Sequence, residues 1–375
     1  MKVTAPGKVL LLGGYAVLES FPALTLAVSD SLGLGVTALS KEGSNTIISR
    51  SFNISKKLNP NNCAAEIKKS KPGEKIAVTA YCVASAYLIQ NGYRIKDLDY
   101  EISNSHIFGQ KNEKSGLGSS AAATAAIVGC ILKSNGVEVY EEIHKLAQIS
   151  HSLATKKIGS GVDIATSVYG SIKYNRYPKE TLEMLSADMD EDGFAKELSA
   201  TVKSSWKMEI KPFNFAPYKL LVFNVKKRRT STVSAVGFVA KLKNKNPALY
   251  NYLISEQVKS EALVFDSLKK QDNSGIMEGM HGARSAQAKL SEAVCSIDRD
   301  FDSIEPLELT KLIDQSEQIE GVIAGRCPGS GGYDSICFVV EPDDVTPKIL
   351  SIAKGLGLNI EYIDCKLSLG GLKTI

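Results

Sequence analysis

Apolar residues recur in short runs near both ends of the chain and at helical spacing through its middle. Residues 3–12 and 22–39 have the length and composition of strands, with Phe21-Pro22 and glycine-rich turns between them. Residues 46–55 alternate polar and apolar, which predicts an antiparallel strand. Lys71-Pro72-Gly73-Glu74 is a turn, and Ile76 to Gln90 is a helix with an apolar face. A strand is predicted at 98–104. Ala121 to Leu132 carries no charge and is rich in alanine, which predicts a helix buried on all sides. A helix from Tyr140 to Leu153 and a strand at 168–175 follow. Pro178 to Thr201 mixes acidic and small residues and reads as variable surface.

Pro212 and Pro217 mark a domain boundary near 200–216. Beyond it come a strand from Lys219 to Val225, helices at 246–270, 274–294 and 306–321, a strand at 336–340, a helix at 345–354 and a strand at 359–364. Strands gathered in one layer with helices packed on one side predict an α+β architecture. A length of 375 residues fits two domains. There is no internal repeat and no low-complexity segment.

Charge changes little in this picture. A net charge of +4, with 23% charged residues, is too mild to argue for nucleic acid or a membrane surface. Lys226-Lys227-Arg228-Arg229 is either a solvated loop face or an attractor for an acidic substrate. The seven cysteines form no C-x-x-C pair, and several lie inside apolar runs, as reduced thiols of a cytosolic protein do. No leader sequence, no uncharged apolar run of about 18 residues and no C-terminal Ser-Lys-Leu is present, so a soluble, cytoplasmic protein is expected.

Candidate chemistry concentrates in Lys114-Ser115-Gly116-Leu117-Gly118-Ser119-Ser120-Ala121, just before the alanine-rich helix. A glycine loop feeding a helix start binds anions, because unpaired N–H groups and the helix dipole face the ligand. The implied ligand is a phosphate chain. The loop is neither a Walker A element nor a dinucleotide fingerprint. Taken alone, it also fits, less well, a helix start whose small residues allow close packing.

Two further elements resolve that ambiguity. The chain opens with Ala5-Pro6-Gly7-Lys8, an apolar run from Val9 to Leu12, and Gly13-Gly14-Tyr15. Near its end stands Pro328-Gly329-Ser330-Gly331-Gly332-Tyr333-Asp334. These three elements, in this order, resemble the GHMP kinase superfamily over nearly the whole chain. Four stretches are most similar to the fungal-type phosphomevalonate kinases: Ala5 to Leu18, Lys114 to Ala122, Lys156 to Asp163 continuing through Gly170 to Tyr174-Asn175-Arg176, and Ile304-Glu305-Pro306 leading through Gly321 to the last glycine loop. The resemblance implies a two-domain fold. A ribosomal-protein-S5-domain-2-like domain (1–205) would carry the ATP-phosphate loop, and a ferredoxin-like domain (206–375) the last glycine loop, with the active site between them. It also implies ATP and Mg²⁺ as cofactors, 5-phosphomevalonate as the small-molecule partner, a place in isoprenoid precursor synthesis, and no nucleic acid or membrane partner. A monomer or weak homodimer is expected. Mevalonate as acceptor, or a silent sensor on the same fold, are the competing readings.

Residue by residue, the resemblance implies catalytic roles for Lys8 and Asp163. ATP would be held by Lys114, Gly116, Leu117, Gly118, Ser119, Ser120 and Ala121, with Ser103 and Asn104 near the adenine. The acceptor would meet Lys156, Lys157, Gly161, Arg176, Ser231, Thr232, Ser330, Gly331 and Gly332, and Ser120 would ligate the metal. The chain departs from the wider family in two places. Tyr15 stands where many members carry Glu after the first glycine pair. Ser150-His151-Ser152 stands where mevalonate kinases place a metal-binding Glu. His151 either touches ligand or, as the preferred reading, packs within its helix.

Overall fold

A computed structural model describes residues 1–49, 53–109, 115–186, 188–226, 232–298, 300–301, 303–342, 344–368 and 370–375, and for 232–234 the backbone alone. The chain divides into two compact units. One comprises Met1–Val9, Thr25–Pro212 and Ser368–Ile375; the other comprises Leu10–Leu24 and Phe213–Leu367.

The first unit contains a six-stranded sheet in the order Lys373–Thr374, Lys2–Ala5, Val36–Glu42, Leu98–Asn104, Thr46–Ser49 and Ile54–Lys57. All of its pairings are antiparallel except Thr46–Ser49 with Leu98–Asn104. The run at 46–55 is therefore two strands of an antiparallel pair, not the single strand that alternation predicts. The helices Lys75–Gln90, Ser119–Ser134 and Tyr140–Thr155 pack on one another. Ser119–Ser134 is apolar all round because it is enclosed: residues 121–132 are all buried.

Two further expectations fail in this unit. Residues 168–169 are not strand but the end of the helix Val162–Tyr169. Gly170, at φ +93°, turns the chain into the strand Ile172–Asn175. Residues 191–203 are not variable surface but a helix that buries Phe194, Leu198 and Val202 at four-residue spacing. Asp190 caps it, its carboxylate accepting the Gly193 N–H at 2.7 Å.

The second unit holds an antiparallel sheet in the order Val322–Arg326, Ser335–Val340, Lys219–Val225 and Ile360–Tyr362. Numbered along the chain, its strands run second, third, first, fourth, which is the ferredoxin-like arrangement. Phe223, Phe338, Leu309, Leu312 and Ile349 form the core between this sheet and the helices Leu307–Ser316 and Thr346–Gly355. The helix predicted to reach residue 321 stops at Ser316, because Val322–Arg326 is needed as a strand. The helices Pro247–Lys270 and Asn273–Cys295 pair along their length. No helix among the described residues is long and apolar enough to cross a membrane.

Candidate active site

In the first unit the opening strand and the glycine loop touch. Gly7 lacks the side-chain carbon that would lie 2.8 Å from the Leu117 carbonyl oxygen. The Lys8 N–H can therefore donate to that oxygen at 2.9 Å. Gly118 caps the helix Ser119–Ser134 from the left-handed region, at φ +76° and ψ 38°. It brings no side chain to the first turn, and the leading N–H groups of a helix have no partner within it. A Cβ at 118 would fill the space 3.3 Å from Lys8 Cγ and Cε and 3.6 Å from Asp163 Oδ2. A helix start with the Lys8 side chain beside it suits a phosphate chain in sign.

Lys8 Nζ lies 3.4 Å from Asp163 Oδ1. Asp163 stands in the first turn of Val162–Tyr169, behind Gly161 at φ +77°, where a carboxylate gains from the helix dipole. The loop before it is fastened from behind. Gln148 donates to the Gly161 carbonyl at 2.6 Å, Tyr174 to the Ser160 carbonyl at 3.0 Å, and Arg176 Nη2 to the Ile158 carbonyl at 3.3 Å. Arg176 thus touches the backbone of the loop that presents Asp163.

Ser120 Oγ and His151 Nε2 are 3.3 Å apart. His151 does more than pack in its helix: it faces the glycine loop. Burial holds its imidazole below the usual histidine range, with Asp163 pulling the other way. No group of three or more His, Cys, Asp or Glu able to hold a metal occurs among the described residues. A hard cation such as Mg²⁺ takes phosphate oxygens and water with one or two protein oxygens, and Ser120 and Asp163 offer such atoms.

The remaining expected residues are spread more widely. Lys156, itself at φ +56°, ends the helix Tyr140–Thr155, and both Lys156 and Lys157 are exposed. Ser103 and Asn104 close the strand Leu98–Asn104, and Asn104 Oδ1 is buried with no hydrogen-bond partner. Lys114 and Ser231 lie outside the described residues. Thr232 opens the helix Thr232–Lys245. In the second unit, Tyr15 Oη donates to the Ser330 carbonyl at 2.9 Å. Gly332 N–H donates to the Ile304 carbonyl at 2.8 Å, and a side chain at Gly331 would strike that same oxygen at 2.3 Å. Sequence reasoning passed over Gln257, Glu261, Gln287 and Arg326, which line the inner side of the glycine turns of this unit. The one signal for them was an arginine at the end of an apolar strand.

The family description GHMP kinases N terminal domain matches residues 78–171. A phosphomevalonate kinase of Candida albicans is 27% identical over 395 aligned residues, which cover 91% of this chain and 90% of that protein. Among solved structures, a Lin0012 protein from Listeria innocua matches 98% of this chain and 99% of its own, with a TM-score of 0.80 at 22% identity. The phosphomevalonate kinase of Streptococcus pneumoniae in complex with phosphomevalonate and AMPPNP matches 97% and 100%, with a TM-score of 0.74 at 17% identity.

Proposed function

We propose that this chain is a GHMP kinase that transfers the terminal phosphoryl group of ATP to the phosphate of (R)-5-phosphomevalonate, giving ADP and (R)-5-diphosphomevalonate. The observation that carries this reading is the Lys8–Asp163 pair beside the open helix start at Gly118. The full-length similarity to a phosphomevalonate kinase gives the acceptor.

An oxygen of the acceptor phosphate attacks the terminal phosphorus as the bond from that phosphorus to the bridging oxygen of ADP breaks. Such a transfer asks the protein for in-line positioning and for neutralisation of charge. The N–H groups at the start of Ser119–Ser134 hold the phosphate chain of ATP. Lys8 neutralises charge that builds between the two anions, and Lys156 and Lys157 attract the acceptor. The glycine-rich backbone at Ser330, Gly331 and Gly332 lets a phosphate-bearing ligand approach closely. Mg²⁺, held by Ser120 Oγ with phosphate oxygens, would add further neutralisation.

A phosphate monoester has a second pKa near 6, so the acceptor is already mostly a dianion at neutral pH. It needs no strong base. Asp163 then serves to orient Lys8, and Asp163→Asn is expected to lose only about tenfold in kcat. A general base contributes about 10²–10⁴-fold, so a loss near 10⁴ would return Asp163 to that role.

Offering ATP with phosphomevalonate, and in parallel with mevalonate, tests the reading as a whole. ADP release is expected with phosphomevalonate. Preference for mevalonate would reassign the acceptor, and turnover of neither would leave a binding protein.

A further inference from the structure

Phosphoryl transfer leaves one buried set of polar side chains in the second unit without a task. Arg326 ends the strand Val322–Arg326 and is 1% exposed. Its Nη1 donates to Glu261 Oε1 at 3.2 Å and its Nη2 to Gln287 Oε1 at 3.0 Å. Glu261, on the helix Pro247–Lys270, is 2% exposed, and its other oxygen accepts the Gly13 N–H at 2.9 Å. Gln257, one turn earlier, donates to Glu261 Oε1 at 3.1 Å and to the Gly13 carbonyl at 3.3 Å. Gly14 is pressed into the same cluster. A side-chain carbon there would lie 2.9 Å from Gln287 Nε2 and 3.3 Å from the Gly329 carbonyl. Gly329, three residues beyond Arg326, donates its N–H to the Leu10 carbonyl at 3.0 Å.

One carboxylate thus grips the first glycine turn, and the guanidinium it pairs with ends the strand that runs into the last glycine loop. A buried ion pair is a weak source of stability, since apolar side chains of similar volume often serve as well or better. It is a strong source of direction, because the planar guanidinium and the two-oxygen carboxylate fix their partners in angle as well as distance. The backbone they fix is glycine, which has the greatest conformational freedom of any residue and no side chain with which to anchor itself. The geometry points to Glu261 and Arg326 as positioning residues: through Gly13, Gly14 and Gly329 they set the last glycine loop for the acceptor. This inference rests on the reading that the loop meets the acceptor phosphate.

The double variant Glu261→Met/Arg326→Met removes both charges at similar volume. It is expected to melt no lower than the parent protein and to keep its KM for ATP within about threefold, while kcat/KM for phosphomevalonate falls about 10²-fold, the cost of roughly 1 Å of misplacement. Unchanged kcat/KM, or an equal loss toward both substrates, would overturn the inference. Should the double variant fail to fold, Glu261→Gln keeps the shape and must show the same split between substrates. Hydrogen exchange at residues 329–332 supplies a readout independent of turnover, expected to quicken about tenfold or more in either variant. Unchanged exchange would overturn the positioning role. Lack of turnover by the parent protein, with exchange still quickened, would instead sink the proposed reaction.

Discussion

Lys8→Met is expected to lower kcat by about 10³-fold and to leave the melting temperature almost unchanged. Two terms of different size lie behind that contrast. In the folded protein Lys8 pairs with a carboxylate that is 39% exposed, and solvent screens the pair. Pairs of that kind contribute little to stability, about 0–1 kcal/mol. The backbone N–H that holds the glycine loop through Leu117 is untouched by the substitution. In the proposed reaction two polyanions meet, and the Lys8 side chain lies beside Gly118 at the helix start proposed to hold one of them. Loss of a single preorganised donor from such a place costs about 10²–10³-fold, and here a full positive charge is lost as well. Methionine keeps most of the stem, so packing against the loop survives. The check is kcat with ATP and phosphomevalonate beside a thermal melt. If kcat stays within about threefold, Lys8 is a structural lysine and the Lys8–Asp163 pair no longer marks the reaction centre.

Parts of this arrangement were legible from the residues alone. The helix behind the glycine loop announced itself because a run without charge has to be enclosed, and residues 121–132 are. The strand Leu98–Asn104 and the helix Lys75–Gln90 follow their predicted limits within a residue: the strand alternates in burial at Tyr100 and Ile102, whereas the helix is buried without a break over 77–88 and not along one face as expected. The helix Glu191–Lys203 escaped because three large apolar residues in thirteen give a faint stripe, although Asp190 followed by Gly193 was a cap signal. The strand assigned to 168–175 erred because Ile164, Val168 and Ile172 share one spacing across a helix, a glycine break and a strand.

The site shows the same division. Lys8 and Asp163 each stand in a short motif, so each was visible singly; their contact depends on where two distant segments pack. His151 looked like a helix residue because nothing local separates a histidine that faces the core from one that faces a loop. Glu261 was hidden for a related reason. On an amphipathic helix a glutamate reads as solvent-facing, and only the tertiary fold turns it onto Gly13. Burial of such a carboxylate is costly without a cation, and Arg326, far along the chain, supplies one.

Gly118→Val is expected to abolish most activity, with kcat/KM for ATP falling about 10²–10³-fold. Two costs combine at this position. A side chain in the left-handed region carries strain of about 1–2 kcal/mol, and a β-branched one is least tolerant of it. The valine would also press on the Lys8 side chain, so that the lysine or the loop must give way, and about 1 Å of misplacement is worth about 10²-fold. Strain alone is measured at the other end of the same helix. Gly136 has φ +90° and nothing within 4 Å of where its side chain would begin. Gly136→Val should therefore lower the melting temperature by a few degrees, as about 1 kcal/mol does in a domain of this size, and leave turnover intact. The informative quantity is the difference between the two variants. If Gly118→Val were as active as Gly136→Val at equal stability, the space above Gly118 would hold no phosphate, and the helix start there would be packing and nothing more.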